Sequence, residues 1–161
     1  MGKIILPLDK KFGEWTLDLG CGDIRHRHKG YDIYLDKIDY GQGIIWNAKN
    51  GIPLPNNSCK NIVASHFMEH FREEDFLSIM NECWRIMRPD GELYIIVPSF
   101  NRDESWIPIH LLHPTIMTFK FFERYDDTAK EYRIRSWKIK ELSENSRKDI
   151  HCKMIPIGIG K

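Results

Sequence analysis

The heptapeptide Leu17-Asp18-Leu19-Gly20-Cys21-Gly22-Asp23 decides the fold. Trp15, Leu17 and Leu19 alternate with Thr16 and Asp18 before the chain meets two glycines, which is the pattern of a buried strand running into a tight turn. Two glycines at a strand end let the backbone bend sharply and let a ligand lie directly against it, because no Cβ stands in the way. In an open α/β sheet such a turn sits at the carboxyl end of a strand, beside the point where strand order reverses and ligands bind. The dinucleotide fingerprint G-x-G-x-x-G is incomplete, since position 25 is arginine.

Strands are expected on both sides of that turn. Ile24 to Lys29 is too short and too polar for a full helix, and Tyr31 to Leu35 forms a second apolar run closing on Asp36. A third short strand is expected at Gly43 to Trp46, then a loop rich in Asn, Gly and Pro, then a fourth strand at Asn61 to Ser65. From Glu73 to Arg88, apolar residues at Phe76, Ile79, Met80, Cys83, Trp84 and Met87 recur at helical spacing. The acidic first turn and the basic Arg85 and Arg88 suit the helix dipole, and Pro89-Asp90-Gly91 stops it. Glu92 to Val97 is a near-continuous apolar strand of the kind covered on both faces. Beyond it, Thr115 to Arg124 predicts one helix, and Tyr132 to Leu142 with Asp149 to Ile157 predicts an antiparallel hairpin at a sheet edge.

Bulk properties bound the function. The 161 residues suit one domain spanning 1–161, and a net charge of +1 provides no global field toward nucleic acid or anionic lipid. No apolar run approaches the roughly 18 residues that cross a bilayer, and the start lacks the apolar core of a secretory signal. Cys21, Cys59, Cys83 and Cys152 show neither disulfide nor zinc spacing. A cytoplasmic protein is the expectation.

The elements together resemble the class I S-adenosylmethionine-dependent methyltransferases, in particular the small type 11 members, over roughly Trp15 to Pro98. The resemblance rests on LDLGCGD, the acidic end of strand two, GIPLPNNSCKNIVASHFMEHF at Gly51 to Phe71 and NECWRIMRPDGELYIIVPSF at Asn81 to Phe100. It implies a doubly wound, Rossmann-like α/β fold of seven strands, mostly parallel, with an antiparallel C-terminal edge hairpin. It also implies S-adenosylmethionine as cofactor, approached by the backbone of Gly20, Cys21 and Gly22 and steadied by Asp18. Asp36 would bind the ribose, Asn47 would stand near the adenine amine, and Ser65 and His66 would lie nearest the methyl group. The short link between the glycine turn and strand two leaves Asp32 as an alternative to Asp36. Asp36 is preferred because ligands lie at strand ends, where a carboxylate facing a crevice supports little packing. The chain starts a few residues before strand one, so the acceptor side is expected to be open, or covered by Pro98 to Pro114 or by a second subunit.

Other residues carry competing readings. Arg25, His26, Arg27, His28 and Lys29 form either a solvated loop or a contact for an anionic acceptor or the cofactor carboxylate. His66, Glu69 and His70 fit H-x-x-E-H, a zinc hydrolase signature, although their place after a parallel strand argues for no metal and for Glu69 and His70 capping and packing a helix start. His66 is the candidate catalytic base. His110 and His113 are either substrate-loop groups or surface residues, and Trp84, Phe119, Phe121 and Phe122 are read as core. The expected function is methyl transfer to a small molecule, glycan or lipid precursor. A basic stripe interleaved with aromatics is missing, which disfavours nucleic acid. The alternative is a non-catalytic cofactor-binding or partner-subunit module of the same fold.

Overall fold

The computed structural model describes residues 4–25, 27–100, 113–123, 131 and 133–158. Its frame is a seven-stranded sheet of order β3-β2-β1-β4-β5-β7-β6. The strands are β1 (Trp15–Leu19), β2 (Ile33–Asp36), β3 (Ile44–Ile45), β4 (Cys59–Ser65), β5 (Met87–Pro98), β6 (Trp137–Glu144) and β7 (Asp149–Pro156). The first five run parallel, β7 is antiparallel to β5, and β6 pairs with β7 at the edge. The strand order reverses between β1 and β4, so the carboxyl ends of these two strands form the switch point.

Alternation along the strands separates the two faces. Leu17, Ile33, Ile62, Leu93 and Met154 lie side by side in register and are all buried. They meet the apolar stripe of α1 (Glu73–Ile86), whose Phe76, Ile79, Met80, Cys83 and Ile86 join the same core. The adjacent row on the opposite face runs Tyr34, Asp18, Val63, Tyr94, Lys153. Tyr34, Tyr94 and Lys153 of that row are only half-buried. Between β1 and β2 the described residues contain no helix, as the polarity of Ile24 to Lys29 predicts.

α1 ends at Ile86, two residues before the predicted Arg88. Met87 is already extended and pairs with Cys59, and Arg88 precedes Pro89, which disfavours helical backbone there. The apolar Met87 is therefore the first residue of β5, which begins earlier than the predicted Glu92. A register shift between Cys59 and Asn61 absorbs the Pro-Asp-Gly segment. A Cβ on Gly91 would stand 2.7 Å from the Lys60 carbonyl oxygen, so the close approach of β4 and β5 requires glycine there. The C-terminal helix is short, α2 spanning Ile116–Lys120 before a 3₁₀ turn at Phe121–Glu123. Phe119 and Phe122 are core residues as expected, whereas Phe121 and Trp84 are half-buried and Trp84 lies under the Arg135 guanidinium. The edge strand β6 starts at Trp137, later than the predicted Tyr132. No helix among the described residues is long and apolar enough to cross a membrane, and all four cysteines are free and buried.

Arg85 ties the loop between β3 and β4 to α1. Its guanidinium donates to the Ile52 and Leu54 carbonyls, each at 2.8 Å, and to the Glu82 carboxylate, which also accepts from Ile52 N. Hydrogen bonding from Arg85 holds the Glu82 carboxyl below the usual carboxylate range. Removing the guanidinium strands two carbonyls and an anion. Arg85→Ala is expected to lower unfolding free energy by about 2–3 kcal/mol in urea titration; a change under about 0.5 kcal/mol would mean that the loop is held by other contacts. A depressed carboxylate contributes stability above its unfolded value and loses it as pH falls through its folded value. The stability gap between the wild type and Glu82→Gln should therefore close on the acid side.

Candidate functional site

The glycine turn is fixed from the neighbouring strand. Gly20 N and Cys21 N both donate to the Leu35 carbonyl, at 2.8 and 3.2 Å, and Gly22 N donates to Asp36 Oδ2 at 3.0 Å. Gly20 and Gly22 have φ of 75° and 58°, the left-handed region that favours glycine. Asp18, buried under the turn, accepts from His28 N at 2.8 Å. Desolvation raises the Asp18 carboxyl above its ordinary value, and the hydrogen bond from His28 opposes that rise. Burial likewise pushes the Cys21 thiol up to about 12, so it is protonated at neutral pH and makes no nucleophile.

Two cavities meet above this turn. The larger, of about 580 Å³, is lined by Asp36, Tyr40, Trp46, Asn47, Phe67 and Phe71 among others. The smaller, of about 330 Å³, is lined by Asp18, Cys21, His28 and Ser65. Gly20, Gly22 and His66 line both. All eight residues singled out in the sequence, namely Asp18, Gly20, Cys21, Gly22, Asp36, Asn47, Ser65 and His66, thus line this double crevice. The volumes lie within the range of small-molecule sites, roughly 300–1,000 Å³.

The two aspartates at β2 occupy different places. Asp36 lines the larger cavity and accepts from Gly22 N and Ile38 N, each at 3.0 Å. Asp32 accepts from Thr16 N and Oγ1 at the start of β1 and pairs with Lys10 at 3.3 Å. The expectation that Asp36 supports little packing needs correction, because its carboxylate holds the glycine turn. Asn47 uses its side-chain oxygen to cap a 3₁₀ turn, accepting from Lys49 N.

The basic cluster wraps the turn. Arg25 pairs with Asp23, while Arg27 donates to the Gly22 and Tyr40 carbonyls and covers the Tyr34 ring. His26 and His110 lie outside the described residues. His113 stacks on Phe100 at 4.6 Å and lines a separate cavity of about 370 Å³ with Phe76, Leu77 and Phe121. Glu69 caps no helix: it is 1% exposed, and neither carboxylate oxygen has a hydrogen-bond partner among the described residues. His66 precedes the 3₁₀ turn Met68–His70 and has φ of 49°, so the two histidines do not stack one helical turn apart as zinc ligation by H-x-x-E-H demands. Among the described residues no group of three or more His, Cys, Asp or Glu is arranged to hold a metal ion.

Sequence reading passed over the aromatic lining residues Tyr40, Trp46, Phe67 and Phe71, of which Phe67 lies against the glycine turn. Its ring takes the room that Gly20 leaves, and a Cβ built on Gly20 would stand 2.0 Å from its Cδ2. The ring also meets Phe71 edge-on at 4.8 Å. The available signal was an aromatic side chain immediately after the strand end Ser65-His66.

A family model described as "Methyltransferase domain" matches residues 17–95. No curated protein matches the chain. Among solved structures, the fold is similar to a SAM dependent methyltransferase from Aquifex aeolicus, at TM-score 0.63 and 17% identity over 91% of this chain and 84% of that one. It is also similar to a putative methyltransferase of Haloferax volcanii solved with the Trm112 methyltransferase activator, at TM-score 0.64 and 12% identity over 94% and 85% of the two chains. A third is the N-methyltransferase NodS from Bradyrhizobium japonicum in complex with S-adenosyl-L-homocysteine, at TM-score 0.61 and 8% identity over 90% and 79%. At these identities the likeness is one of fold.

Backbone and packing both resist a side chain at position 20. Gly20→Ala should destabilise the fold by about 2–5 kcal/mol, combining left-handed backbone strain with overpacking against Phe67. Adding Phe67→Ala should restore only the packing part in thermal melts. A double variant no more stable than Gly20→Ala would show that the ring contact contributes nothing.

Proposed function

We propose that this chain, whose residues 17–95 match the methyltransferase domain model, takes a methyl group from S-adenosylmethionine and transfers it to a small-molecule, glycan or lipid-precursor acceptor beside His66. The observation that carries this reading is the convergence of the glycine turn, Asp36 and His66 on one double crevice at the carboxyl ends of β1, β2 and β4.

The chain's residues suit the cofactor. Each Asp36 oxygen accepts one backbone N–H and keeps a further lone pair, so the carboxylate has room for the two ribose hydroxyls. Trp46, Phe67 and Phe71 give the larger cavity apolar walls for a base, with Asn47 beside them. Ser65 and His66 flank the smaller cavity with the backbone of Gly20 to Gly22, the place assigned to the methionine part. When bound, S-adenosylmethionine supplies a methyl group already activated by a sulfonium. The protein's task is then to align a nucleophile and exclude water, and positioning of this kind is worth on the order of 7–11 kcal/mol in favourable cases. His66 serves as the base for an oxygen or nitrogen acceptor that must lose a proton.

A second reading, a cofactor-binding module that works within a complex, is favoured by the half-exposed sheet face bearing Tyr34, Tyr94 and Lys153. The Haloferax relative solved with an activator makes such an arrangement a reasonable comparison. Labelled methyl transfer by the isolated chain across an acceptor panel separates the two readings, since a module retains cofactor binding without product.

Calorimetry with S-adenosylhomocysteine tests the site. Asp36→Ala should weaken binding by about 2–4 kcal/mol, roughly 30-fold to 1000-fold, and should also lower stability because Gly22 N loses its acceptor. Asp36→Asn should fall between. Asp32→Ala should leave binding unchanged and cost stability, since it removes the acceptor for Thr16 and the partner of Lys10. The opposite pattern, or no heat at millimolar ligand with the wild type, would refute the assignment. His66→Ala should slow methyl transfer by about 100-fold or more while S-adenosylhomocysteine still binds.

A further inference from the structure

Among the described residues, Glu69 is a buried carboxylate without a hydrogen-bond partner on either oxygen, and its side chain is 1% exposed. Leaving an ionised carboxylate buried without a donor is costly, and chains keep such groups where they serve a purpose. The side chain brought to it is His66, whose Nδ1 stands 3.6 Å from Glu69 Oε1. That separation is too long for a hydrogen bond and within reach of an ion pair once the imidazole carries a second proton.

The backbone holds the two in this relation. His66 sits at the end of β4 with φ of 49°, and its N–H donates to the Ile96 carbonyl at 2.8 Å. Glu69 lies in the 3₁₀ turn that follows, where His70 N donates to the Phe67 carbonyl and Phe71 N to that of Met68. Met68 and Glu69 therefore point into the protein, both buried, while the His66 side chain is half-exposed and lines both cavities.

We propose that Glu69 is a positioning residue for the methyl transfer: its carboxylate draws the proton-bearing Nδ1 of His66 inward, leaves Nε2 toward the crevice, and balances the charge that His66 gains on taking the acceptor's proton. This rests on His66 being the base. In the step itself, the acceptor's X–H proton goes to His66 Nε2 and the X lone pair forms the new bond to the methyl carbon. The electrons of the breaking S–C bond return to sulfur, which becomes a neutral thioether. The positive charge that leaves the sulfonium thus reappears on the imidazolium, 3.6 Å from the Glu69 anion. Other charged groups share the cavities with His66: Asp18 and His28 in the smaller, Asp36, Lys37, Lys49 and His70 in the larger. Their sum is mixed in sign, and among the described residues it is the Glu69 carboxylate that stands within ion-pair reach of His66 Nδ1.

The test is a proton NMR titration of the full chain, with the His66 ring signal assigned by its loss in His66→Ala. In the wild type the His66 midpoint should lie above the ordinary histidine value of about 6.5. In Glu69→Gln, which keeps the side chain's shape, it should fall by about one pH unit, and Glu69→Asp should recover part of the shift. The ascending limb of the methyl-transfer pH profile should move to lower pH in Glu69→Gln by the same amount, a displacement that a purely structural role would not produce. A wild-type midpoint at or below 6.5 overturns the pairing even if Glu69→Gln fails to fold, as does an unchanged midpoint in a folded Glu69→Gln. A shifted midpoint together with full methyl transfer by His66→Ala would overturn the reading of His66 as base, and the positioning role with it.

Discussion

The hydrogen bonds from Gly20 N and Cys21 N to the Leu35 carbonyl, with that from Gly22 N to Asp36, are the constraint from which the crevice follows. They close a left-handed turn at the end of β1 against the end of β2, so the floor of the site is backbone held by backbone. The turn's one side chain, Cys21, adds only a weak Sγ contact to the Gly22 carbonyl at 3.5 Å. Its order is borrowed from β2 on one side and from the His28 N–H bond to Asp18 on the other. Tyr34 extends the second support, since its hydroxyl donates to the His28 carbonyl at 3.1 Å. The same carboxylate, Asp36, is thereby both a strut of the turn and the group best placed to meet a ribose. In the function proposed, structure and ligand recognition are therefore not separable at that residue.

The division of the sheet into unlike faces explains why so short a chain carries the site. One face is sealed by α1 and the row Leu17, Ile33, Ile62, Leu93, Met154, which concentrates the apolar burial that drives folding. The other carries polar and aromatic side chains in the row Tyr34, Asp18, Val63, Tyr94, Lys153. Tyr94 and His151 meet there at 2.6 Å, and Asn145 reaches the other ring nitrogen of His151, so polar atoms at the edge of this face are partnered. The turn between β1 and β2 folds over the end of this face with Arg27 on the Tyr34 ring, where a longer chain would place a helix. Economy in the crossover is compatible with a complete crevice because the crevice is made at strand ends.

Most of the frame was legible in the sequence because it rests on patterns with a single physical meaning. Alternation at Trp15 to Leu19, the apolar stripe from Phe76 to Cys83 and the double glycine admit few other folds, and the resemblance to a methyltransferase family added the count of seven strands, whose order the structure supplied. The boundaries were less legible where two local rules conflict. Met87 continues the helical spacing, yet it opens β5, because pairing with Cys59 and the proline two residues on outweigh the helix period. Asp36 was preferred over Asp32 from its place at a strand end, and the structure gives the two different partners: Asp32 precedes β2 and binds the start of β1, whereas Asp36 closes β2 beside the glycine turn. Phe67 was illegible for a different reason. Nothing in sequence says that a ring 47 residues downstream fills the space above a glycine, since that contact depends on how the chain leaves β4.

What sequence reasoning took for a helix-capping pair, Glu69 and His70, shows how a functional end of a fold departs from the rules that build the rest. In the core every strand row and helix face agrees with its burial. At the carboxyl ends of β1 and β4 three departures gather: Asp18 is buried with its carboxyl raised by desolvation, His66 adopts a left-handed backbone, and Glu69 is buried without a hydrogen-bond donor. Each costs stability taken alone, whereas the half-buried Glu82 carboxylate is answered by Arg85. Strained backbone and unanswered charge persist where the surrounding structure over-determines them and where something else completes them. Asp18 is completed by His28 N within the protein itself. Glu69 has the His66 imidazole at 3.6 Å among the described residues, so in the mechanism proposed above the stability missing from this end of the sheet is regained when His66 is protonated, the state that removal of an acceptor's proton creates.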